Sequence, residues 1–264
     1  MVEQVPFKLL VPGSSPGLPT FFMRLFLATP LAGGMGFDLA DGIKWYLVFL
    51  FSTSFHEAAH AWAALKLGDD TAARGGQVSL DPTPHIRRSP LGMVVVPLCS
   101  YFTSGWMIGW ASAPYDPQWA AAHPRRAALM GVAGPLANLI LLLAAAFVLR
   151  MGLEWHVFHS SSFPDFLHVV QADDEGVHGF FAKLVSLVFS LNLLLFLFNL
   201  IPLPPLDGSV LPLFFLPPAW AERYFEIRRH PGLLYLGLFL SWKLFGVVYP
   251  PIQALAVNCL YWGL

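Results

Sequence analysis

Two histidines and a glutamate stand close together in an apolar stretch of this chain, and these residue types could bind and use a metal ion. His56, Glu57 and His60 form an H-E-x-x-H motif. Positions i and i+4 of a helix lie on one face, so both imidazoles can reach the same ion. A carboxylate beside the first ligand could take a proton from a water molecule. This combination is typical of zinc hydrolases.

The surroundings of this motif are those of a membrane-spanning segment. It lies within residues 43–66, which are long and apolar enough to form a helix that crosses a bilayer. Ionisable side chains at that depth are costly and indicate a functional site by default. The alternative is a buried polar cluster that only holds helices together.

The composition indicates a membrane protein. Of the 264 residues, 56% are hydrophobic and 12% are charged. Soluble domains carry about 25% charged residues. We therefore predict an all-α polytopic membrane protein with about five to six transmembrane helices in a lipid bilayer. A formal net charge of −1 gives no reason to expect nucleic-acid binding.

The chain is expected to form a single membrane-embedded domain over residues 1–264, with its catalytic core at 43–216. Prolines and glycines at 1–17 predict an irregular lead-in. The remaining apolar segments are an imperfect first span at 18–40, three strong spans at 127–150, 180–201 and 232–249, and a short interfacial segment at 250–264.

A polar segment after the motif helix is a candidate for substrate binding. Residues 74–80 could form a short strand that ends at Asp81-Pro82. An exposed strand edge can pair with an extended peptide, which makes Gln77, Val78 and Ser79 candidate substrate-binding residues. A plain surface hairpin explains the same pattern equally well.

Positive charge predicts which end of the bundle faces the cytoplasm. Lys and Arg residues lie in or beside the segments 67–90 and 112–126, and loops that carry Lys and Arg favour the cytoplasmic side: Lys66, Arg74, Arg87, Arg88, Arg125 and Arg126. The apolar segment 91–111 between them would then have to enter the membrane and return. Its proline and glycines suit a re-entrant loop, which is tolerated where it is buried in protein, and we expect it to line the catalytic chamber. The acidic loop 151–179 is then outside.

The sequence offers one acidic candidate for a third metal ligand. Catalytic zinc commonly has three protein ligands and an open position. Asp207 follows an apolar span and a proline-rich break, where the backbone could direct its carboxylate toward the bundle. Leu-Asp-Gly is also an ordinary turn sequence, so this assignment stays open at the level of the residues alone.

Three motifs together resemble the site-2 protease family of intramembrane zinc metalloproteases. They are the H-E-x-x-H motif, the Gly134-Pro-Leu-Ala-Asn138 stretch, and Asn199 eight residues before Asp207. The resemblance implies that His56, His60 and Asp207 bind one zinc ion and that Glu57 is the catalytic base. It also implies that Asn199 contacts the substrate backbone or the developing oxyanion.

The resemblance further implies the substrate class and the location. We expect hydrolysis of peptide bonds in or near transmembrane segments of membrane-protein substrates, as in regulated intramembrane proteolysis. The expected location is a bacterial inner or plasma membrane, with the active site nearer the cytoplasm. No loop is long enough for a PDZ domain, which predicts a minimal form without PDZ or CBS domains. The alternatives are a cation transporter and a multi-pass metal-binding protein without protease activity.

Two further polar residues allow more than one interpretation. Asn138 lies among small residues, which favours helix packing with an amide hydrogen bond over a role in the chemistry. His85 follows Asp81-Pro-Thr-Pro and is either near the metal or an ordinary loop histidine.

Overall fold

The fold is described from a computed structural model. It describes residues 38–174 and 176–263, and of Pro218 only the backbone. The predicted lead-in at 1–17 and nearly all of the predicted first span at 18–40 lie outside the described residues.

The described chain is largely helical. The helices are α1 (Leu39–Leu67), α2 (Thr71–Arg74), α3 (Pro82–Arg88), α4 (Val96–Ser104), α5 (Pro117–Ala122), α6 (Pro124–Glu154), α7 (Val177–Asn199), α8 (Pro218–Arg228) and α9 (Pro231–Tyr261). A π-helical turn covers Leu91–Val95, a 3₁₀ helix covers Asp207–Phe214, and the strands β1 (His159–Ser160) and β2 (Val170–Gln171) form an antiparallel pair.

Helices α1, α6 and α7 pack against one another and form the centre of the bundle. His56 and His60 of α1 contact Asn138 and Met130 of α6 in that order, so these two helices are antiparallel. Ser52 of α1 contacts the middle of α7, and His60 contacts Asp207 just beyond its end, so α1 and α7 run in the same direction. Both relations agree with the predicted path of the chain.

Three of the described helices are long and apolar enough to cross a membrane, namely α6, α7 and α9. The predicted total of about five to six spans is therefore not reached within the described residues. Helix α1 has 29 residues and the length to cross, about 44 Å at 1.5 Å per residue. Its polar residues lower its mean hydropathy, and those between Ser52 and His60 are buried.

The side chains of α1 are distributed as expected for a protein surrounded by lipid. Its polar residues Ser52, Glu57 and His60 are buried, whereas Leu47 and Phe51 are exposed. A helix on the surface of a water-soluble domain shows the reverse distribution, with its apolar stripe facing inward. The outer surface of the bundle thus matches a hydrocarbon environment.

The strand predicted at 74–80 is not formed. Residues 71–74 are helical instead, and the chain then turns so that the Gln77 backbone N–H donates to the Ala72 carbonyl. Asp81 does not end a strand but caps α3, because its carboxylate accepts from the Thr83 backbone N–H. These short-range hydrogen bonds compete successfully with an extended conformation.

The segment 91–111 enters the bundle as a helix and returns as extended chain. The helical limb ends at Gly105, whose φ of 67° lies in the left-handed region that favours glycine. The Trp110 backbone N–H then donates to the Gly92 carbonyl at 3.0 Å, so both ends of the segment lie side by side. This geometry agrees with a re-entrant path, while its depth in a membrane stays a prediction.

The two basic segments meet at one end of the bundle. The side chains of Gln77 and Arg88 both donate to the Ser112 carbonyl, at 3.1 and 3.0 Å. Asp69 accepts from the Asp116 backbone N–H at 2.8 Å. These contacts agree with the prediction that 67–90 and 112–126 lie on the same side, while the cytoplasmic location of that side stays a prediction.

The acidic loop covers the opposite end. Phe166 of this loop stacks on Trp45 at the start of α1 and contacts Trp106 at the tip of the re-entrant segment. The β1–β2 pair lies in this loop. The short sheet is thus formed at the far end of α6 from the metal-binding motif, not beside it as predicted.

The final helix is longer than predicted. Residues 250–264 were expected to form a separate interfacial segment, but α9 continues through Pro250 and Pro251 to Tyr261. A proline ring inside a helix meets the carbonyl four residues earlier.

Candidate metal centre

The structure brings His56, His60 and Asp207 together inside the bundle. The two Nε2 atoms lie 3.0 Å apart. Asp207 Oδ2 lies 3.0 Å from Nε2 of His56 and 3.3 Å from Nε2 of His60. Both histidines are buried and the aspartate is half-buried. The three side chains come from two segments far apart in sequence, α1 and the start of the 3₁₀ helix.

The spacing and chemistry of these three atoms fit a zinc ion. Ligand bonds of 2.0–2.1 Å in tetrahedral geometry place ligand atoms about 3.3 Å apart. His60 Nδ1 donates to the Met130 carbonyl at 2.8 Å, and because a carbonyl only accepts, the lone pair of this ring is on Nε2. That lone pair faces a second imidazole nitrogen and a carboxylate oxygen. A divalent cation between them would satisfy all three.

Space at the centre is kept open by a glycine of α6. A Cβ added at Gly134 would lie 2.3 Å from Nε2 of His60 and 2.5 Å from Nε2 of His56. Any side chain there would collide with the presumed ligand atoms. Glycine at this position therefore lets α6 approach α1 closely and leaves room for an ion.

Glu57 has an unsatisfied oxygen at this site. The residue is buried, and its Oε2 has no hydrogen-bond partner among the residues that the structure describes. A buried acceptor without a partner is costly, and such an atom can mark a place where catalysis occurs or where a water or ion binds. Burial lowers the pKa of the Arg88 guanidinium, and the negative charge of Glu57 acts in the opposite direction. Arg88 therefore lies near enough to influence Glu57 electrostatically.

The loop that carries Asp207 is held from several directions. A Cβ at Gly208 would lie 2.3 Å from the Leu200 carbonyl oxygen, so only glycine allows this close return to the end of α7. The Ser209 hydroxyl donates to the Leu206 carbonyl. From α8, Arg228 Nε donates to Ser209 Oγ at 2.7 Å and the Tyr224 hydroxyl donates to the Ser209 carbonyl. Asp207 therefore lies between two residues, Leu206 and Gly208, whose positions these contacts determine.

Comparison with known proteins agrees with this geometry. Residues 45–244 match peptidase family M50. The chain belongs to peptidase family M50, the site-2 protease family. The matched region contains both segments that supply the candidate ligands.

Two relatives of this M50 peptidase carry names of the same kind. It is 32% identical over 212 residues to "Putative zinc metalloprotease YwhC" of Bacillus subtilis, covering 79% of this chain and 86% of the relative. It is 26% identical over 197 residues to "Putative zinc metalloprotease Rip2" of Mycolicibacterium smegmatis, covering 71% of this chain and 66% of the relative. No solved structure matches it.

The other residues predicted for the site in this M50 peptidase are not part of the His-His-Asp group. Asn199 is the last residue of α7 and is half-buried, next to Leu200, which contacts Gly208. Gln77 is buried and its amide is bonded to the Ser112 carbonyl, while Val78 is exposed and the Ser79 carbonyl accepts from His85. Without a strand at 74–80, the predicted edge pairing has no structural basis.

Sequence reasoning underestimated Asn138. Its Oδ1 lies 2.6 Å from Nδ1 of His56, so this amide contacts a candidate metal ligand as well as packing between helices. Asn192 of α7 contacts Asn138 and was not singled out at all. A polar side chain in the middle of an otherwise apolar span was the available signal. His85 is fully buried and bonded within its own loop.

Proposed function

We propose that this M50 peptidase is an intramembrane zinc metalloprotease that hydrolyses peptide bonds in or near transmembrane segments of membrane-protein substrates. The observation that carries the proposal is a His-His-Asp group of zinc-like spacing, buried between helices whose outer surfaces are apolar. A substrate that reaches this group from the side would come from the bilayer.

The residues around the site have complementary roles in such a reaction. His56, His60 and Asp207 would hold one zinc ion, which when bound lowers the pKa of water and polarises a carbonyl. Glu57, with its unsatisfied Oε2, accepts the proton from the attacking water and later delivers it to the leaving amine. Asn199 donates a hydrogen bond to the substrate carbonyl or backbone.

The substrate must be locally unwound before it is cut, because a helix hides its carbonyls in internal hydrogen bonds. Of the candidate substrate-binding residues Gln77, Val78 and Ser79, Val78 is the one with an exposed side chain. We place the site nearer the cytoplasm of a bacterial cell membrane, on the side of the two basic segments.

Substitution of Glu57 tests the reaction separately from metal binding. Glu57→Gln should retain zinc and abolish cleavage, since it removes the proton acceptor and leaves the three ligands in place. The measurements are zinc content of the purified protein, and the transmembrane peptides that accumulate uncut in cells expressing the variant.

Asp207→Ala is the matched variant for the ligand set. It should lose both zinc and cleavage, because two ligands hold zinc far less tightly than three. Full zinc content in Asp207→Ala would remove Asp207 from the site. Wild-type cleavage by Glu57→Gln would contradict the proposed reaction.

A cation transporter would also place such ligands inside a bundle, but it would need further ligands along a path across the membrane. Within residues 38–174 and 176–263, His56, His60 and Asp207 are the one group of three His, Cys, Asp or Glu side chains that could hold an ion. This favours a single reaction centre over a transport path.

A further inference from the structure

A chain of buried amides leads away from His56 through all three central helices. His56 Nδ1 lies 2.6 Å from Asn138 Oδ1, and Asn138 Nδ2 donates to Asn192 Oδ1 at 2.8 Å. Asn192 Nδ2 donates to Ser52 Oγ at 3.0 Å and to the Val188 carbonyl at 2.8 Å. Both asparagines are 0% exposed. Buried amides without partners are costly, so the bonding of this chain is strongly determined.

The direction of every hydrogen bond in this series of side chains is set by its last acceptor, the Val188 carbonyl. The Val188 carbonyl can only accept, so the amide nitrogen of Asn192 must face it. Oδ1 of Asn192 then faces Asn138 and can only accept, which requires Nδ2 of Asn138 on that side. Oδ1 of Asn138 is left facing His56, so the hydrogen of this ring must be on Nδ1 and its lone pair on Nε2.

The two candidate histidine ligands are therefore oriented in equivalent ways. His60 Nδ1 donates directly to the Met130 backbone carbonyl of α6. His56 reaches the backbone carbonyl of Val188 on α7 through two amides. In both cases the hydrogen bonds end at a backbone carbonyl, which can only accept. The ring hydrogen is therefore on Nδ1, and Nε2 is free to bind the metal. Outer partners of this kind fix the tautomer and ring orientation of metal-binding histidines.

We propose that Asn192 is a positioning residue for the metal site, which acts on His56 through Asn138. The inference rests on the proposed zinc-binding function. Asn138 Nδ2 has a second acceptor, the Ser52 carbonyl, at the longer distance of 3.5 Å, against 2.8 Å to Asn192 Oδ1. Without the amide of Asn192 only this weaker bond opposes rotation of the Asn138 side chain, which would present its nitrogen to His56 and favour the wrong tautomer. Asn192 itself lies beyond the ligands and contacts none of them directly.

Zinc affinity of the purified full-length protein in detergent measures this effect without relying on activity. Asn192→Leu keeps the approximate shape of the side chain and removes its hydrogen bonds. We expect zinc affinity, measured by chelator competition, to fall about 10-fold, the lower end for outer partners of metal ligands. The visible absorption of the Co²⁺-loaded protein should change as well.

Ser190→Ala is the matched control on the same helix. Ser190 is also 0% exposed, and its hydroxyl has no hydrogen-bond partner among the described residues. This variant should keep wild-type zinc affinity. If Asn192→Leu unfolds at the assay temperature, Asn192→Ala replaces it, since it removes the same amide.

A double-mutant cycle separates positioning through Asn138 from general packing. If Asn192 acts through Asn138, then Asn138→Leu and the double variant Asn138→Leu/Asn192→Leu should bind zinc equally well, because the second change has nothing left to disrupt. Additive losses, or wild-type affinity in Asn192→Leu, would overturn the inference. A wild-type protein that binds no zinc would instead refute the proposed function.

Discussion

At the scale of single residues, the centre depends on the lack of a side chain at Gly134 as well as on the atoms of the candidate ligands. Gly134 contributes no side chain, and that absence lets two imidazole nitrogens and a carboxylate oxygen converge. Glu57 contributes an oxygen with no protein partner in the described chain. The site thus offers four acceptor atoms, a combination suited to a cation and a water molecule.

Gly134→Ala should disrupt zinc binding. Its Cβ would lie 2.3 Å from His60 Nε2, closer than real Cβ atoms approach their neighbours. We expect zinc affinity to fall by at least about 10-fold, comparable with loss of an outer partner of a metal ligand. Chelator competition measures it.

The control for this change is Gly246→Ala, at a helical glycine of α9. Among the described residues, apart from the neighbouring backbone of α9 itself, no heavy atom lies within 4 Å of its Cβ position. It should bind zinc as the wild type does. Unchanged zinc affinity in Gly134→Ala would mean that α6 can move away from α1 without loss of the site.

At the scale of elements, the position of the third candidate ligand depends on helix α8, which supplies none of the three candidate ligands. Helix α8 packs beside the 3₁₀ helix, and two of its side chains bond to Ser209, two residues beyond Asp207. The charge-assisted bond from Arg228 is the stronger kind. Helix α8 therefore helps to hold the Asp207 carboxylate in the direction of α1.

Arg228→Met should weaken zinc binding through this contact. It keeps much of the side-chain length and removes the bond to Ser209, so the Asp207 loop becomes less constrained. We expect a loss of zinc affinity of about 10-fold or less, as for other outer partners. Arg223→Met, at an exposed position of the same helix, is the control and should have no effect. Equal behaviour of the two variants would show that α8 does not hold the loop.

At the scale of the whole molecule, the bundle has two chemically different ends. The basic segments 67–90 and 112–126 are bonded to each other at the end where α1 finishes. The acidic loop covers the other end and packs against Trp45 and Trp106. If basic loops face the cytoplasm, the metal centre is reached from that side.

Cysteine labelling in intact cells tests this orientation. The exposed native Cys99 and Cys259 are first replaced by serine, and that protein is the unlabelled control. Gln118→Cys and Phe163→Cys then mark the two ends. A membrane-impermeant maleimide should label position 163 from outside and position 118 only after permeabilisation. Labelling of both from one side would contradict the proposed topology.

The local sequence was enough to predict the long helices and the shared face of the two histidines. The spacing of His56 and His60 places them on one face of any helix, and the long apolar runs predict α6, α7 and α9. The position of Asp207 after a proline-rich break could be proposed but not decided, since Leu-Asp-Gly also suits an ordinary turn. The residues at 74–80 were misjudged because two short-range hydrogen bonds outweighed their strand pattern: Asp81 accepts one from the Thr83 N–H, and the Gln77 N–H donates the other to Ala72.

Only the tertiary structure decided which distant atoms meet. Nothing in the order of residues shows that Asn192 faces Asn138, that Ser209 is bonded from α8, or that the Gly134 Cα lies against both imidazoles. Helical periodicity fixes the face on which a side chain lies, whereas the helix that covers this face depends on packing of the whole bundle. The candidate ligands were therefore accessible to sequence analysis, and the side chains that contact them were not.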